Sequence, residues 1–172
     1  LFRIASVSKP ITAAAALVLV DEGRLGLDEP VDRWLPELAG RRVLRAIDAP
    51  LGDTVPVREP VTLRGLLAMN FGLGVDFGFR SAVSGALGAL GIGTSGFAAG
   101  PDEYLRRLGT LPLIAQPGER WLYHIGIDIA GILVARIAGT GFGAFLRERL
   151  FAPLGMEDTG FRIEAADATQ LA

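Results

Sequence analysis

The sequence predicts a mainly α-helical domain, and three observations support this prediction. Residues 7–22 are apolar on nearly every side, which is typical of a buried helix. Residues 121–138 repeat apolar side chains at helical spacing, and Gly139 and Gly141 follow as helix-ending residues. Strand-like alternation is seen at residues 54–58, where it predicts only a short edge strand or hairpin arm.

The first predicted helix covers residues 6–22. Pro10 lies in its first turn, where a missing backbone N–H is tolerated, and Gly23 favours a left-handed stop at its end. A second, short helix is predicted over residues 31–38, with Trp34 packing into the core.

The middle of the chain changes character twice. Residues 54–58 can form an edge strand or one arm of a hairpin, and Thr62 is a suitable N-cap for a helix over residues 63–69. Residues 71–100 are rich in glycine and alanine, which predicts a long loop with one weak helical turn at residues 82–90. Loops of this length often form lids or substrate walls, and a surface excursion without such a role is an equal alternative.

The last third of the chain is predicted to be helical. One helix covers residues 101–108, and a tight turn at residues 116–120 precedes the helix over residues 121–138. A final helix covers residues 142–150, and the last ten residues are expected to be loosely held.

Composition indicates one domain of globular type over residues 1–172 and excludes several classes of partner. The net charge is −2 and there is no basic stretch, so no nucleic-acid partner is predicted. The longest apolar run, residues 11–20, has about half of the roughly 20 residues that a membrane span needs, so no span is predicted. No cysteine and a single histidine exclude disulfides and a histidine-rich metal site, and no cofactor is expected.

Lys9 is the only lysine of the chain, and it lies three positions after Ser6. On a helix, positions i and i+3 share a face, so the amine and the hydroxyl can meet. A lysine kept from full solvation can lose its proton and act as a base toward a neighbouring serine. With five serines in 172 residues, this spacing arises by chance in about 3% of cases, so it indicates a serine hydrolase acting by acyl transfer.

Two other interpretations compete with this one. The scarcity of lysine can reflect coding bias toward arginine, with no functional meaning. Ser8 is a second possible nucleophile, but it directly precedes Lys9 on the helix and therefore points elsewhere.

The chemistry also needs a group that passes the proton to the leaving group, and Tyr123 is the candidate. A phenol held near Lys9 can be partly deprotonated and act as a base, whereas the alternative is a buried aromatic side chain with a satisfied hydroxyl. The other tyrosine, Tyr104, lies in an ordinary amphipathic pattern. His124 with Asp128 at i+4 allows a Ser-His-Asp reading, which leaves Lys9 without a role.

Residues 91–96 fit the pattern G-x-G-x-x-G, but no strand precedes them and no helix follows. A dinucleotide site is therefore not predicted.

Five segments in this order resemble the class C β-lactamase-like serine hydrolases, a family that includes class C β-lactamases, DD-peptidases and family VIII esterases. The resemblance covers nearly the whole chain and lies in residues 2–13, 21–31, 61–67, 117–123 and 151–159. It implies a covalent acyl-enzyme with Ser6 as nucleophile, Lys9 as its activating partner and Tyr123 as the tyrosine of the second motif. The implied substrate is a small-molecule ester, amide or β-lactam, and the backbone N–H of Ser6 is the implied oxyanion donor.

The chain departs from the family pattern in its second motif. The family's Y-x-N requires an asparagine where this chain has Ile125. If the turn is one residue shorter, His124 takes the place of the asparagine as a substrate-binding side chain; if Gly126 sets the register, Tyr123 is displaced. Either outcome disfavours β-lactam hydrolysis and favours an ester or amide substrate. A typical Ser-Gly is also replaced, by Asn70-Phe71-Gly72.

The resemblance further implies that this chain is the helical part of an α/β β-lactamase/transpeptidase-like fold, with most of the central sheet missing. The family's third motif lies beyond residue 172, and we expect an upstream segment because Leu1 already adjoins the nucleophile motif. The apolar face of residues 11–20 would then be partly uncovered, and the 172 residues alone are expected to be poorly active. The non-catalytic alternative is a penicillin-recognising or scaffold domain. The sequence predicts neither an oligomeric state nor a compartment.

Overall fold

The computed structural model describes residues 2–75, 77–78, 81–93 and 99–162. Six helices and one two-stranded hairpin form the regular structure of these residues: α1 (Ser8–Asp21), β1 (Arg42–Leu44), β2 (Thr54–Pro56), α2 (Leu63–Leu67), α3 (Ala82–Ala89), α4 (Pro101–Gly109), α5 (Ile125–Ala138) and α6 (Phe142–Leu146). A 3-10 turn, Ala5–Val7, precedes α1, and a π-helical turn, Arg147–Phe151, follows α6. The prediction of a mainly helical fold with most of the central sheet missing is confirmed.

Helix α5 is the centre of the fold, because α1, α2 and α6 all pack against it. Its apolar residues are buried on almost every side, including Ile125, Ile129 and Leu133. This burial matches the uniformly apolar sequence of the helix, and the other helices pack against its apolar surface.

Helix α1 is buried on only one side. Ala15, Ala16 and Leu19 are fully buried, whereas Ala14 is exposed and Leu17 keeps 46% of its surface exposed. The prediction that this helix is buried all round is therefore wrong for one face, and the expectation of a partly uncovered apolar face is confirmed. Gly23 follows with φ of +67°, the left-handed stop predicted for it.

The predicted strand at residues 54–58 is one arm of a hairpin. Strand β2 pairs antiparallel with β1, with Val43 opposite Val55. The partner strand was not predicted, because three residues are too short to show alternation above the surrounding irregular sequence.

Three predicted helices differ from the structure. Residues 31–38 form two 3-10 turns, Val31–Arg33 and Pro36–Leu38, because the residue before a proline is pushed out of the helical region and Leu35 has ψ of 67°. The weak turn at residues 82–90 is a two-turn helix, α3, in which the Ser81 hydroxyl accepts a hydrogen bond from the Ser84 N–H.

The third difference concerns the helix predicted over residues 121–138, which begins at Ile125. Residues 122 and 123 are extended instead, because their backbone groups pair with another segment: Leu122 N–H donates to Met69 C=O (2.7 Å), and Tyr123 forms a bridge with Val75. Helical periodicity reflects only which side chains are buried. It therefore cannot show that another segment takes the backbone hydrogen bonds that a helix would need.

The remaining predicted elements are present where the structure describes them. Thr62 caps α2 by accepting from the Gly65 N–H at 3.2 Å, and residues 116–120 form a turn with Gly118 at φ of +87°. The segment predicted to be loosely held, the last ten residues, lies outside the described residues, as does half of the G-x-G-x-x-G match. Within the described ranges no single helix is long and apolar enough to cross a membrane; α5 and residues 142–151 meet that test only as a pair, bent by 81°.

Gly126 is predicted to be indispensable for the packing of α2 on α5. A Cβ at this position would collide with the carbonyl oxygen of Leu66, which is backbone and cannot rotate away. We expect Gly126→Ala to lower the free energy of unfolding by about 1–3 kcal/mol, as overpacking does elsewhere. Gly131→Ala in the same helix is the matched control, because its Cβ would make ordinary contacts with the Phe142 ring, from 3.4 Å. Urea unfolding midpoints measure both; equal midpoints would contradict the prediction.

Candidate active site

Ser6, Lys9 and Tyr123 meet at the N-terminal end of α1. Lys9 Nζ donates a hydrogen bond to Ser6 Oγ at 2.9 Å, and Tyr123 Oη donates to the same oxygen at 2.7 Å. The Lys9 amine also lies 4.6 Å from the centroid of the Tyr123 ring. Ser6 and Tyr123 are 117 positions apart in the chain, yet they contact each other directly and both lie close to Lys9.

The local backbone explains why Ser6 rather than Ser8 faces this lysine. Ser6 lies in the 3-10 turn before α1 and follows Ala5, which has φ of +42°. The hydroxyl of Ser8 instead turns back and donates to the carbonyl of Ala5 at 2.7 Å. Ser8 therefore points away from Lys9, as its position in the helix predicts.

Tyr123 is held in place through its backbone. Its N–H donates to Val75 C=O at 2.9 Å and its C=O accepts from Val75 N–H at 2.8 Å. Gly74 permits this approach, because a Cβ there would collide with the carbonyl of Leu122. Two exposed aromatic rings flank the phenol, with centroids 5.5 Å away for Trp121 and 6.0 Å away for Phe77.

His124 makes the sharp change of direction between Tyr123 and α5. It has φ of +84° and ψ of −68°, and the Ile125 N–H donates to Tyr123 C=O at 3.2 Å across it, which is the geometry of a γ-turn. A non-glycine residue in such a conformation costs on the order of 1–3 kcal/mol, and such strain clusters at functional sites. With the γ-turn at His124, the Tyr123 hydroxyl reaches Ser6, so Tyr123 is not displaced from the site. The Ile125 side chain is buried, with 1% of its surface exposed.

The hydrogen bond with Ser6 and then that with Lys9 lower the pKa of Tyr123 below its usual range, and the positive charge of Lys9 adds to this effect. A lowered phenol pKa makes Tyr123 a better candidate for a base near neutral pH.

A second group of polar side chains lies beside the first. His124 Nε2 is 3.3 Å from Asp128 Oδ2, and Tyr104 Oη donates to that same oxygen at 3.2 Å. Burial raises the pKa of Asp128, while the charges of His124 and Lys9 and the Tyr104 hydrogen bond oppose this shift. Burial, followed by the nearby Asp128 carboxylate, raises the pKa of Tyr104 as well. Tyr104 was missed by the sequence analysis, because its contact with α5 leaves no trace in the pattern of α4.

Both groups line one cavity of about 850 Å³. Its polar end contains Ser6, Lys9, Tyr123, His124 and Asp128, and its apolar end is formed by α5, α6 and the turn that follows, including Ile132, Phe142, Leu146 and Phe151. Within the part of the chain that the structure describes, no three His, Asp or Glu side chains form a cluster that could hold a metal ion.

Known proteins resemble this chain over nearly its full length. The family model described as Beta-lactamase matches residues 1–172. Protein Rv1367c of Mycobacterium tuberculosis is 43% identical over 96% of this chain and 40% of its own length, and Esterase EstB of Burkholderia gladioli is 40% identical over 94% and 38%. The solved structure of EstCE1, a hydrolase with promiscuous acyltransferase activity, superposes with a TM-score of 0.80 at 31% identity, over 99% of this chain and 42% of that one. This chain therefore spans about 40% of the length of the relatives it matches.

Tyrosinate absorbance is predicted to rise in two well-separated steps as the pH is raised. The chain has two tyrosines, and the pKa of Tyr123 is lowered whereas burial raises that of Tyr104. Ionisation of Tyr123 therefore comes first, below the ordinary tyrosine pKa of about 10. Ser6→Ala and Lys9→Met should each move this first step to higher pH, because each removes a group that stabilises the phenolate.

Tyr123→Phe should abolish the first step and leave the second in place. A single step near the ordinary tyrosine pKa, unchanged by Lys9→Met, would contradict the assignment.

Proposed function

The chain belongs to the Beta-lactamase family, and on that premise we propose that it is a serine hydrolase that cleaves esters or amides through an acyl-Ser6 intermediate. The observation that carries the proposal is the pair of hydrogen bonds that Ser6 Oγ receives from Lys9 and Tyr123. Two groups able to take the hydroxyl proton thus lie within reach of one nucleophile.

The proposed reaction has two stages. In the first, Ser6 Oγ forms a bond to the substrate carbonyl carbon while its proton passes to the Tyr123 phenolate, which the positive charge of Lys9 stabilises. The tetrahedral intermediate then collapses, its bond to the leaving group breaks, and Tyr123 returns the proton to that group. In the second, water attacks the acyl-Ser6 ester by the same proton route and releases the acid. The dipole at the start of α1 favours the anion that develops next to Ser6.

The second motif favours an ester or simple amide over a β-lactam. Ile125 is buried at the start of α5 and offers no amide side chain to the cavity, whereas His124 lines the cavity directly after Tyr123. We propose that His124 is the substrate-binding side chain at this position. That Esterase EstB is a relative at 40% identity supports the same substrate class.

A Ser-His-Asp mechanism is the second candidate, and the contact of His124 with Asp128 favours it. Against it, the hydrogen bonds that reach Ser6 Oγ from the described residues come from Lys9 and Tyr123, and none comes from His124. The third candidate is a domain that is acylated by penicillins without turnover. Experiments separate these candidates.

Fluorophosphonate labelling is predicted to give one adduct, on Ser6. The adduct should disappear in Ser6→Ala and persist in Ser8→Ala, the matched control whose hydroxyl is engaged with Ala5. Lys9→Met should slow labelling by about 100-fold or more, because it removes the charge that stabilises the Tyr123 phenolate and so disables the proposed general base. His124→Ala should slow it far less. Intact-protein mass spectrometry measures all four variants against the parent chain.

The same variants decide between the mechanisms. If Lys9→Met is labelled as fast as the parent chain and His124→Ala is not labelled, the Ser-His-Asp mechanism replaces the proposal. A stable adduct with benzylpenicillin and none with fluorophosphonate would replace it by the penicillin-recognising reading.

Steady-state turnover by the isolated 172 residues is predicted to be poor even if Ser6 is labelled. Ser6 is exposed, so water screens the interactions that would stabilise the oxyanion. We expect hydrolysis of p-nitrophenyl acetate at least about 100-fold slower than that by Esterase EstB assayed in parallel, which is the size of one lost oxyanion donor. Equal turnover would show that these residues form a complete site.

A further inference from the structure

The side chains of Tyr104, His124 and Asp128 form a network that the proposed acyl transfer does not use. Asp128 Oδ2 is the shared atom: it accepts from Tyr104 Oη at 3.2 Å and lies 3.3 Å from His124 Nε2. The three residues come from the middle of α4, the γ-turn and the first turn of α5. Their meeting is therefore a product of helix packing rather than of local sequence.

We propose that Tyr104 and Asp128 are positioning residues that fix the imidazole of His124 in the cavity with its Nε2 protonated. This inference rests on the proposed function only in taking the cavity at Ser6 as the substrate site. A carboxylate accepts hydrogen bonds and cannot donate them, so the ring nitrogen facing it carries the proton. The other nitrogen, Nδ1, is then the one available to a ligand in the cavity that His124 lines.

Tyr104 acts only as a hydrogen-bond donor toward Asp128. Because burial raises the pKa of its phenol, Tyr104 stays protonated and donates its only proton to Asp128. The charged and titratable groups that face Asp128 are Tyr104 on α4, Lys9 on α1 and His124 at the start of α5. Burial raises the pKa of Asp128, while the Tyr104 hydrogen bond, the charge of Lys9 and any positive charge on His124 oppose that rise. Tyr104 Oη and His124 Nε2 both face the same carboxyl oxygen, Oδ2.

The fixed ring has a consequence for substrate choice. In the neutral imidazole, Nδ1 then carries a lone pair and accepts a hydrogen bond. The cavity at Ser6 would favour esters or amides that carry an N–H or O–H group close to the scissile carbonyl. The γ-turn strain at His124 agrees with this role, because the strained residue is the one whose side chain must be placed.

His124 is the only histidine of the chain, so its ring gives a single set of signals in a long-range proton–nitrogen NMR spectrum. At a pH where the ring is neutral, we expect the tautomer with its proton on Nε2, the nitrogen that faces Asp128, and slow exchange of that proton with water. Asp128→Asn should make this exchange about tenfold faster, because it removes the carboxylate charge that faces Nε2 at 3.3 Å. Tyr104→Phe should act in the same direction with a smaller effect.

Asp102→Asn is the matched control, because this exposed carboxylate pairs with Arg136 at the far end of α5 and should leave the His124 signals unchanged. A parent spectrum with Nδ1 protonated, or with both tautomers in equal amounts, would overturn the inference, as would unchanged spectra in both Asp128→Asn and Tyr104→Phe. If Asp128→Asn does not fold, Tyr104→Phe decides alone. Fluorophosphonate labelling of the same samples reports on Ser6 separately, so failure of the proposed function and failure of this inference give different results.

Discussion

The pairing of Val75 with Tyr123 is the constraint on which the site depends. Two backbone hydrogen bonds, at 2.8 and 2.9 Å, hold the second-motif tyrosine in an extended segment before α5 begins. If Tyr123 continued into the helix, as its periodicity suggests, its side chain would follow the helix surface and would not be held at Ser6. The loop that carries Val75 thus positions the proposed catalytic tyrosine through its backbone rather than its side chains.

Helix α5 connects this constraint with the rest of the fold. The γ-turn at His124 reverses the chain, and Gly126 allows the first turn of α5 to touch the backbone of α2. At its other end, Arg136 pairs with Glu37 and Asp102 and so ties the 3-10 turn and α4 to the same helix. Backbone contact at one end and a charge network at the other place α5 against α1, and with it Tyr123 against Lys9.

Local chemistry made much of the site predictable. Ser6 and Lys9 could be paired because positions three apart on a helix share a face, and Thr62 could be named as a cap because its hydroxyl serves donors next to it in the chain. The start of α5 was predicted four residues too early, since the extended conformation of Leu122 and Tyr123 depends on partners about fifty positions away. Tyr104 was assigned to a plain amphipathic helix for the same reason, because its partner Asp128 lies on another element.

The sequence by itself determined the helical class of the fold, the family pattern and the pair Ser6–Lys9. The helices and the pair depend on spacing within one or two helical turns, and the family pattern depends on the order of five short segments along the chain. Only the tertiary structure decided that Tyr123 reaches Ser6 in its register, that one face of α1 stays uncovered and that Asp128 is shared between Tyr104 and His124. These features depend on which segments compete for the same backbone groups and on how helices pack. Neither is encoded in the residues of a single segment.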